Sequence, residues 1–258
     1  MSTWIKEGGS WKKATAVSLK DGGTFKESTK TLIKINGHWE DTSAMPTVFE
    51  ADVESPVQPV PQAIGGNIVV TANGTGKWKL KGYGAITIIY LVRKAIPSSF
   101  GITKVLITKM RGVTSLGGMC DASGSHTALT SFTIADNVVD SSLTTINSIV
   151  ANNEKLTTLN LGTNNYDAIT TIGGLTMNCV ALVNLDLTML SFKNIHNFGN
   201  AFRGCGELVC ISKVDTTQIS RNTKLMFHGC DKLTNPDASA RAKLKSTNGF
   251  AYDKGSPC

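Results

Sequence analysis

Apolar residues recur along this chain at a long, regular period. The pattern Leu-x-x-Leu-x-Leu is filled by Ile102, Val105 and Ile107, then Leu129, Phe132 and Ile134, then Leu156, Leu159 and Leu161, then Leu182, Leu185 and Leu187. The leading position continues to Leu208 and Leu233, so that from Leu129 onward the spacings are 27, 26, 26 and 25 residues. In each set the last two apolar positions lie two apart, as a strand with one buried face requires. A second apolar column runs between the sets: Ile146, Ile149 and Asn153 align with Ile172, Leu175 and Cys179, with Phe198, Ala201 and Cys205, and with Thr223, Met226 and Cys230. Val113, Leu116 and Cys120 join this column if residues 121–126 form an inserted loop. Neither the strand nor the return of one unit buries its apolar face alone, so repetition of this length predicts stacked coils, a solenoid.

The first 41 residues carry a shorter repeat. Trp11, Phe25 and Trp39 are 14 apart, and each follows a glycine by two: Gly9, Gly23 and Gly37. Runs rich in Thr, Val, Ile and Leu precede Asp21-Gly22-Gly23 and Asn36-Gly37, strong hairpin signals. The prediction for residues 1–41 is a small β-meander. So short a module with few aliphatic residues buries little surface alone, which makes it an attachment module with Trp11, Phe25 and Trp39 as its anchors. Residues 42–66, with the acids Glu50, Asp52 and Glu54 and with Pro56, Pro59 and Pro61, read as a Pro-rich, acidic linker. Residues 67–258 are then the repeat domain with terminal caps, a short helix being expected at 237–245 behind Asn235 and Pro236.

Composition narrows the picture. A net charge of +7 over 258 residues, with no Lys/Arg block, is ordinary solvated surface and gives no case for nucleic acid. The N-terminus lacks the pattern of a secretory signal, and the longest apolar run, residues 85–92, is short of the roughly 20 residues that cross a bilayer. The expectation is a soluble protein without membrane insertion. The cysteines are at 120, 179, 205, 210, 230 and 258; Cys179, Cys205 and Cys230 share one slot of the repeat, which predicts buried, reduced thiols acting as small hydrophobes. No phosphate loop, nucleophile elbow or zinc-helix motif is present, and His38, His126, His196 and His228 are scattered. The chain is expected to have no enzymatic activity, no cofactor and no metal.

The segments Phe198-Gly-Asn-Ala-Phe-Arg-Gly-Cys-Gly-Glu-Leu and Met226-Phe-His-Gly-Cys-Asp-Lys-Leu resemble the AF-x-GC-x-x-L core of BspA-like leucine-rich repeats, over about residues 84–236. That resemblance implies an α/β to mainly β leucine-rich-repeat solenoid with a parallel sheet of about five coils. The class is common in surface adhesins and phage proteins. The Gly-x-Trp-Lys repeats are similar to modules of phage tail and fibre proteins. Together they imply a virion protein assembled in the host cytoplasm, with residues 1–41 docked on other virion proteins. Its expected role is that of a tail-fibre or receptor-binding component recognising a host-surface glycan or protein. A structural baseplate, collar or head-decoration protein and a bacterial surface adhesin are the alternatives. A homo-oligomer is compatible with a fibre, although no heptad stretch supports one.

In such repeats the residues between the strand leucines face outward. They give the rows Lys104, Ser131, Thr158, Asn184, Cys210 and Leu106, Thr133, Asn160, Asp186, Ser212. Ser131, Thr133, Thr158, Asn160, Asn184, Asp186 and Ser212 are the candidate ligand-binding residues, joined by Tyr166 at an expected loop tip. The loop at 121–128 is a further candidate.

Overall fold

A computed structural model describes residues 46–91, 101–123, 127–212 and 222–233 in full, and within the first 41 residues the backbone of six strands. The chain divides into two compact units, Met1–Pro46 and Thr47–Cys258.

In the first unit, β1 (Thr3–Glu7) pairs with β2 (Ser10–Ala14), β3 (Ser18–Asp21) with β4 (Thr24–Glu27) and β5 (Leu32–Ile35) with β6 (His38–Asp41), all antiparallel. The hairpin signals at Asp21 and Asn36 therefore mark real strand pairs. Among the described residues they do not build one meander, because each pair is a separate two-stranded sheet. The anchors occupy equivalent places: Trp11 opposes Lys6, Phe25 opposes Lys20 and Trp39 opposes Lys34.

The second unit begins with β7 (Thr47–Glu54), inside the stretch expected as a linker. Its burial alternates, with Phe49, Ala51 and Val53 in the core and Glu50, Asp52 and Glu54 on the other face. β8 (Gln62–Ala72) and β9 (Lys77–Tyr90) form a long hairpin, and β10 (Lys104–Met110), β11 (Ser131–Ile134) and β12 (Thr158–Asn160) follow. Together they make a six-stranded mixed sheet of order β12-β11-β10-β7-β9-β8. The acids of β7 stand opposite lysines of β9: Glu50 faces Lys81, Asp52 faces Lys79 and Glu54 faces Lys77. Opposite charges in direct register favour this pairing over any one-residue slip. A linker reading failed here because the complementary lysines lie 23 to 31 residues downstream.

The expected parallel-sheet leucine-rich-repeat solenoid is overturned by this arrangement. β10 with β7, β7 with β9 and β9 with β8 are antiparallel, and only β10 with β11 and β11 with β12 are parallel. The parallel ladder ends at β12; β13 (Asn184–Asp186) and β14 (Cys210–Ser212) form their own two-stranded parallel sheet. No α-helix occurs among the described residues, and Phe192–Asn194 is a 3-10 turn, so the returns are built of turns. The physical reason is that the leucine sets from Leu129 onward support only three or four residues of strand, whereas β7, β8 and β9 are 8, 11 and 14 residues long and dominate the sheet. The hairpin of β8 and β9 bends at a bulge between Ile64 and Gly66. Gly65, with φ +88°, is required there, because a Cβ would meet the carbonyl of Ala85.

Successive repeat units still contact one another. On the return side, parallel single-residue bridges link Ile88, Ser115, Thr145, Thr171, Asn197 and Asn222 in turn. These bridges shift one alignment: Leu116, not Val113, matches Ile146. Cys120 therefore stands level with Val150 and not with Asn153. Left-handed backbone recurs at two positions of the returns. One is Gly118, Ser148, Gly174, Asn200 and Leu225; the other is Asn152, Asn178, Gly204 and Gly229. The second position explains the Gly-Cys motif, since glycine and asparagine are the residues that enter this region at least cost. The leucine sets and return columns merge into one core running from Phe49 to Leu233.

Candidate functional site

The period of two along β7 and β10–β12 sends alternate side chains to the face away from the core. One row crosses the sheet as Thr158, Ser131, Lys104, Glu54 and Lys77, and a second as Asn160, Thr133, Leu106, Asp52, Lys79 and Thr71. Four sequence-predicted residues, Ser131, Thr133, Thr158 and Asn160, thus share one polar face. Asn184, Asp186 and Ser212 lie in the separate sheet of β13 and β14.

Several of these residues also have local duties. Asn160 Oδ1 accepts the N–H of Gly162 at 2.8 Å, and Asp186 Oδ1 accepts that of Thr188 at 2.8 Å, so both fasten the turn after their strand. Tyr166 is not at a loop tip. It is 1% exposed, its hydroxyl donates to the carbonyl of Leu161, and burial pushes its phenol well above the ordinary value. Cys210 is not an outward thiol either: it is buried in β14 and disulfide-bonded. For Trp11, Phe25 and Trp39 the strand registers given above are what is described. Residues 124–126 of the candidate loop and the expected helix at 237–245 lie outside the described residues. Within the described part of that loop, Asp121 Oδ1 accepts from Ser123 N at 3.0 Å and from Asn152 Nδ2 at 2.8 Å.

The polar face is concave where β7, β9, β10 and β11 meet, forming a groove of about 450 Å³. Asp52, Glu54, Lys77, Lys104, Ser131 and Thr133 line it. Lys104 Nζ lies 3.0 Å from Glu54 Oε2, and Lys79 Nζ lies 3.5 Å from Asp52 Oδ1. Asp52 Oδ1 is buried and has no hydrogen-bond partner, so the Lys79 charge is what compensates that oxygen. Of this groove, Lys104, Val105, Leu106, Ser131 and Thr133 were within reach of the leucine pattern. The contributions of β7 and β9 were hidden because one was read as linker and the other as cap; the alternation of Glu50, Asp52 and Glu54 with Phe49, Ala51 and Val53 was the signal that marked a strand.

The cysteine slot is built for structure. Cys179 Sγ donates to the carbonyl of Val150 at 3.1 Å, Cys205 to Thr176 at 3.0 Å and Cys230 to Phe202 at 2.8 Å. Burial pushes the thiols of Cys120 and Cys179 up, which keeps them protonated and unreactive. Among the described residues, no group of three His, Cys, Asp or Glu side chains is placed to hold a metal ion. Nor is any helix among them long and apolar enough to cross a membrane.

Comparison with protein-family models, with curated proteins and with solved structures yields no match to this chain.

Proposed function

We propose that the chain is a binding component of a phage particle, of the tail-fibre or receptor-binding kind, which recognises a host-surface molecule through the polar face of the six-stranded sheet. The observation that carries this reading is the groove lined by Asp52, Glu54, Lys77, Lys104, Ser131 and Thr133, where hydrogen-bonding groups from four strands converge on one concavity. The Gly-x-Trp-Lys repeats support the phage assignment and a docking role for Met1–Pro46. A purely structural virion protein is the second reading. It is favoured by the three isolated hairpins of the first unit, whose outer edges are unpaired among the described residues and suit addition to another subunit.

Labelled full-length chain incubated with a panel of bacterial cells separates the two. Receptor recognition predicts retention on at least one cell type, lost when Thr133 and Thr158 are both changed to lysine. Retention by purified virions alone, with no cell bound, would overturn it.

A further inference from the structure

Resting on the reading of the polar face as the binding surface, we propose that the groove across β7, β9, β10 and β11 takes a neutral saccharide. Most of its charge is paired: Lys104 with Glu54 and Lys79 with Asp52, while Lys77 stands cross-strand from Glu54. A phosphate or sulfate therefore meets a single lysine, Lys77, beyond these pairs, although the chain as a whole carries +7. An extended peptide meets no open ladder, because each of these four strands is paired on both sides within the sheet. Half-buried Trp78 and Leu106, which is 37% exposed, add apolar surface, but charged and hydroxyl groups interrupt it, so a wholly apolar ligand is not matched.

A sugar hydroxyl is donor and acceptor at once, and this lining alternates the two. Lysine ammonium groups only donate, carboxylates only accept, and the hydroxyls of Ser131 and Thr133 do both. The alternation repeats from strand to strand at about 4.8 Å, comparable with the length of one pyranose residue. The groove volume of 450 Å³ is in the range of small-ligand sites, roughly 300–1,000 Å³.

The test is affinity electrophoresis of the full-length chain through gels containing dextran, a mixed-linkage β-glucan, galactomannan or xylan, with dextran sulfate and polyglutamate as charged controls. The expected result is retardation by at least one neutral polysaccharide that persists at high salt. It should weaken at least tenfold in the Ser131→Ala/Thr133→Val chain and in Lys104→Ala, the latter side chain being 56% exposed and so removable without disturbing the core. Retardation by dextran sulfate alone, no retardation by any neutral polymer, or retardation unchanged in both variants would each overturn the saccharide. Cells bound equally well before and after periodate oxidation, but not by the Thr133→Lys/Thr158→Lys chain, would leave the polar face as the binding surface and remove the saccharide as its ligand.

Discussion

Asn153 Nδ2 donates to the carbonyl of Cys120 at 2.7 Å, and one repeat later the thiol of Cys179 makes the corresponding bond to Val150 at 3.1 Å. Amide and thiol thus serve the same end, supplying a donor to a buried carbonyl of the preceding turn. Asn153 does more. It also bonds the carbonyls of Val150 and Ala151 and accepts the hydroxyl of Thr127 at 2.7 Å. Asn153→Ala strands these groups and should lower stability by about 2–3 kcal/mol, read from the midpoint of urea unfolding.

Cys205 tests the same slot from the other side. A hydrophobe-only view makes serine harmful there for want of a partner, but the carbonyl of Thr176 is in place 3.0 Å from the sulfur. Serine keeps a donor and alanine does not. Cys205→Ser should cost less than ~1.5 kcal/mol, and Cys205→Ala should cost more than Cys205→Ser. The reverse order in chemical denaturation would show that the thiol serves only to fill space.

The left-handed positions make a prediction of opposite sign. Leu225 has φ +56° and Ser148 has φ +50°, where Gly118 and Gly174 stand in neighbouring turns. Leu225→Gly removes a strain of about 1–2 kcal/mol, partly offset by the greater freedom of glycine in the unfolded chain, and should raise the melting temperature or leave it unchanged. Gly204→Ala should lower it, since φ is +75° and the new methyl would press on the side-chain oxygen of Asn178.

Acid should act through Asp140. Burial alone would raise its pKa, but the N–H groups of Gly112 at 2.9 Å and Ser142 at 3.0 Å, with the charge of Arg111, hold the carboxyl below its ordinary value. A lowered pKa in the folded state stabilises the protein above the unfolded value, near 3.9, and that stabilisation is lost as the pH falls through the folded value. In thermal melts across pH, Asp140→Asn should be the less stable chain at neutral pH, and the two curves should converge in acid.

The thiols should separate cleanly by mass spectrometry under non-reducing conditions. Denatured and alkylated, the chain should show Cys120, Cys179, Cys205 and Cys230 as free thiols and Cys210 in a disulfide. Alkylation of the folded chain should leave the four free thiols untouched, since all are buried.

The buried positions of the repeat were legible in the sequence because each makes one demand that a single residue type meets: Leu129, Leu156 and Leu182 are all fully buried. The sheet they join was not. Its centre, β7, reveals itself only through partners distant in the chain: Val53 lies beside Trp78 on one side and Val105 on the other. Proline at 56, 59 and 61 follows that strand and ends it, and so lent its character to residues that precede it. Tyr166 was misplaced for another reason. Flanking asparagines suggest an exposed tip, but nothing in the local sequence reveals that the Leu161 carbonyl waits inside for its hydroxyl. The candidate residues of β11 and β12 could be placed on one face from alternation alone, whereas Asn184 and Asp186 depended on a continuous sheet that stops at β12.

The position of β7 has a practical consequence for dissecting the molecule. A fragment starting at residue 67, the boundary that the prolines suggest, lacks the strand that β9 and β10 both pair with. Those two strands would each present a bare edge, flanked by Leu80, Val105 and Ile107 with their covering gone. Such edges seek other chains, so the shorter fragment should precipitate or form large assemblies on expression. A cut between Pro46 and Thr47 leaves the sheet whole.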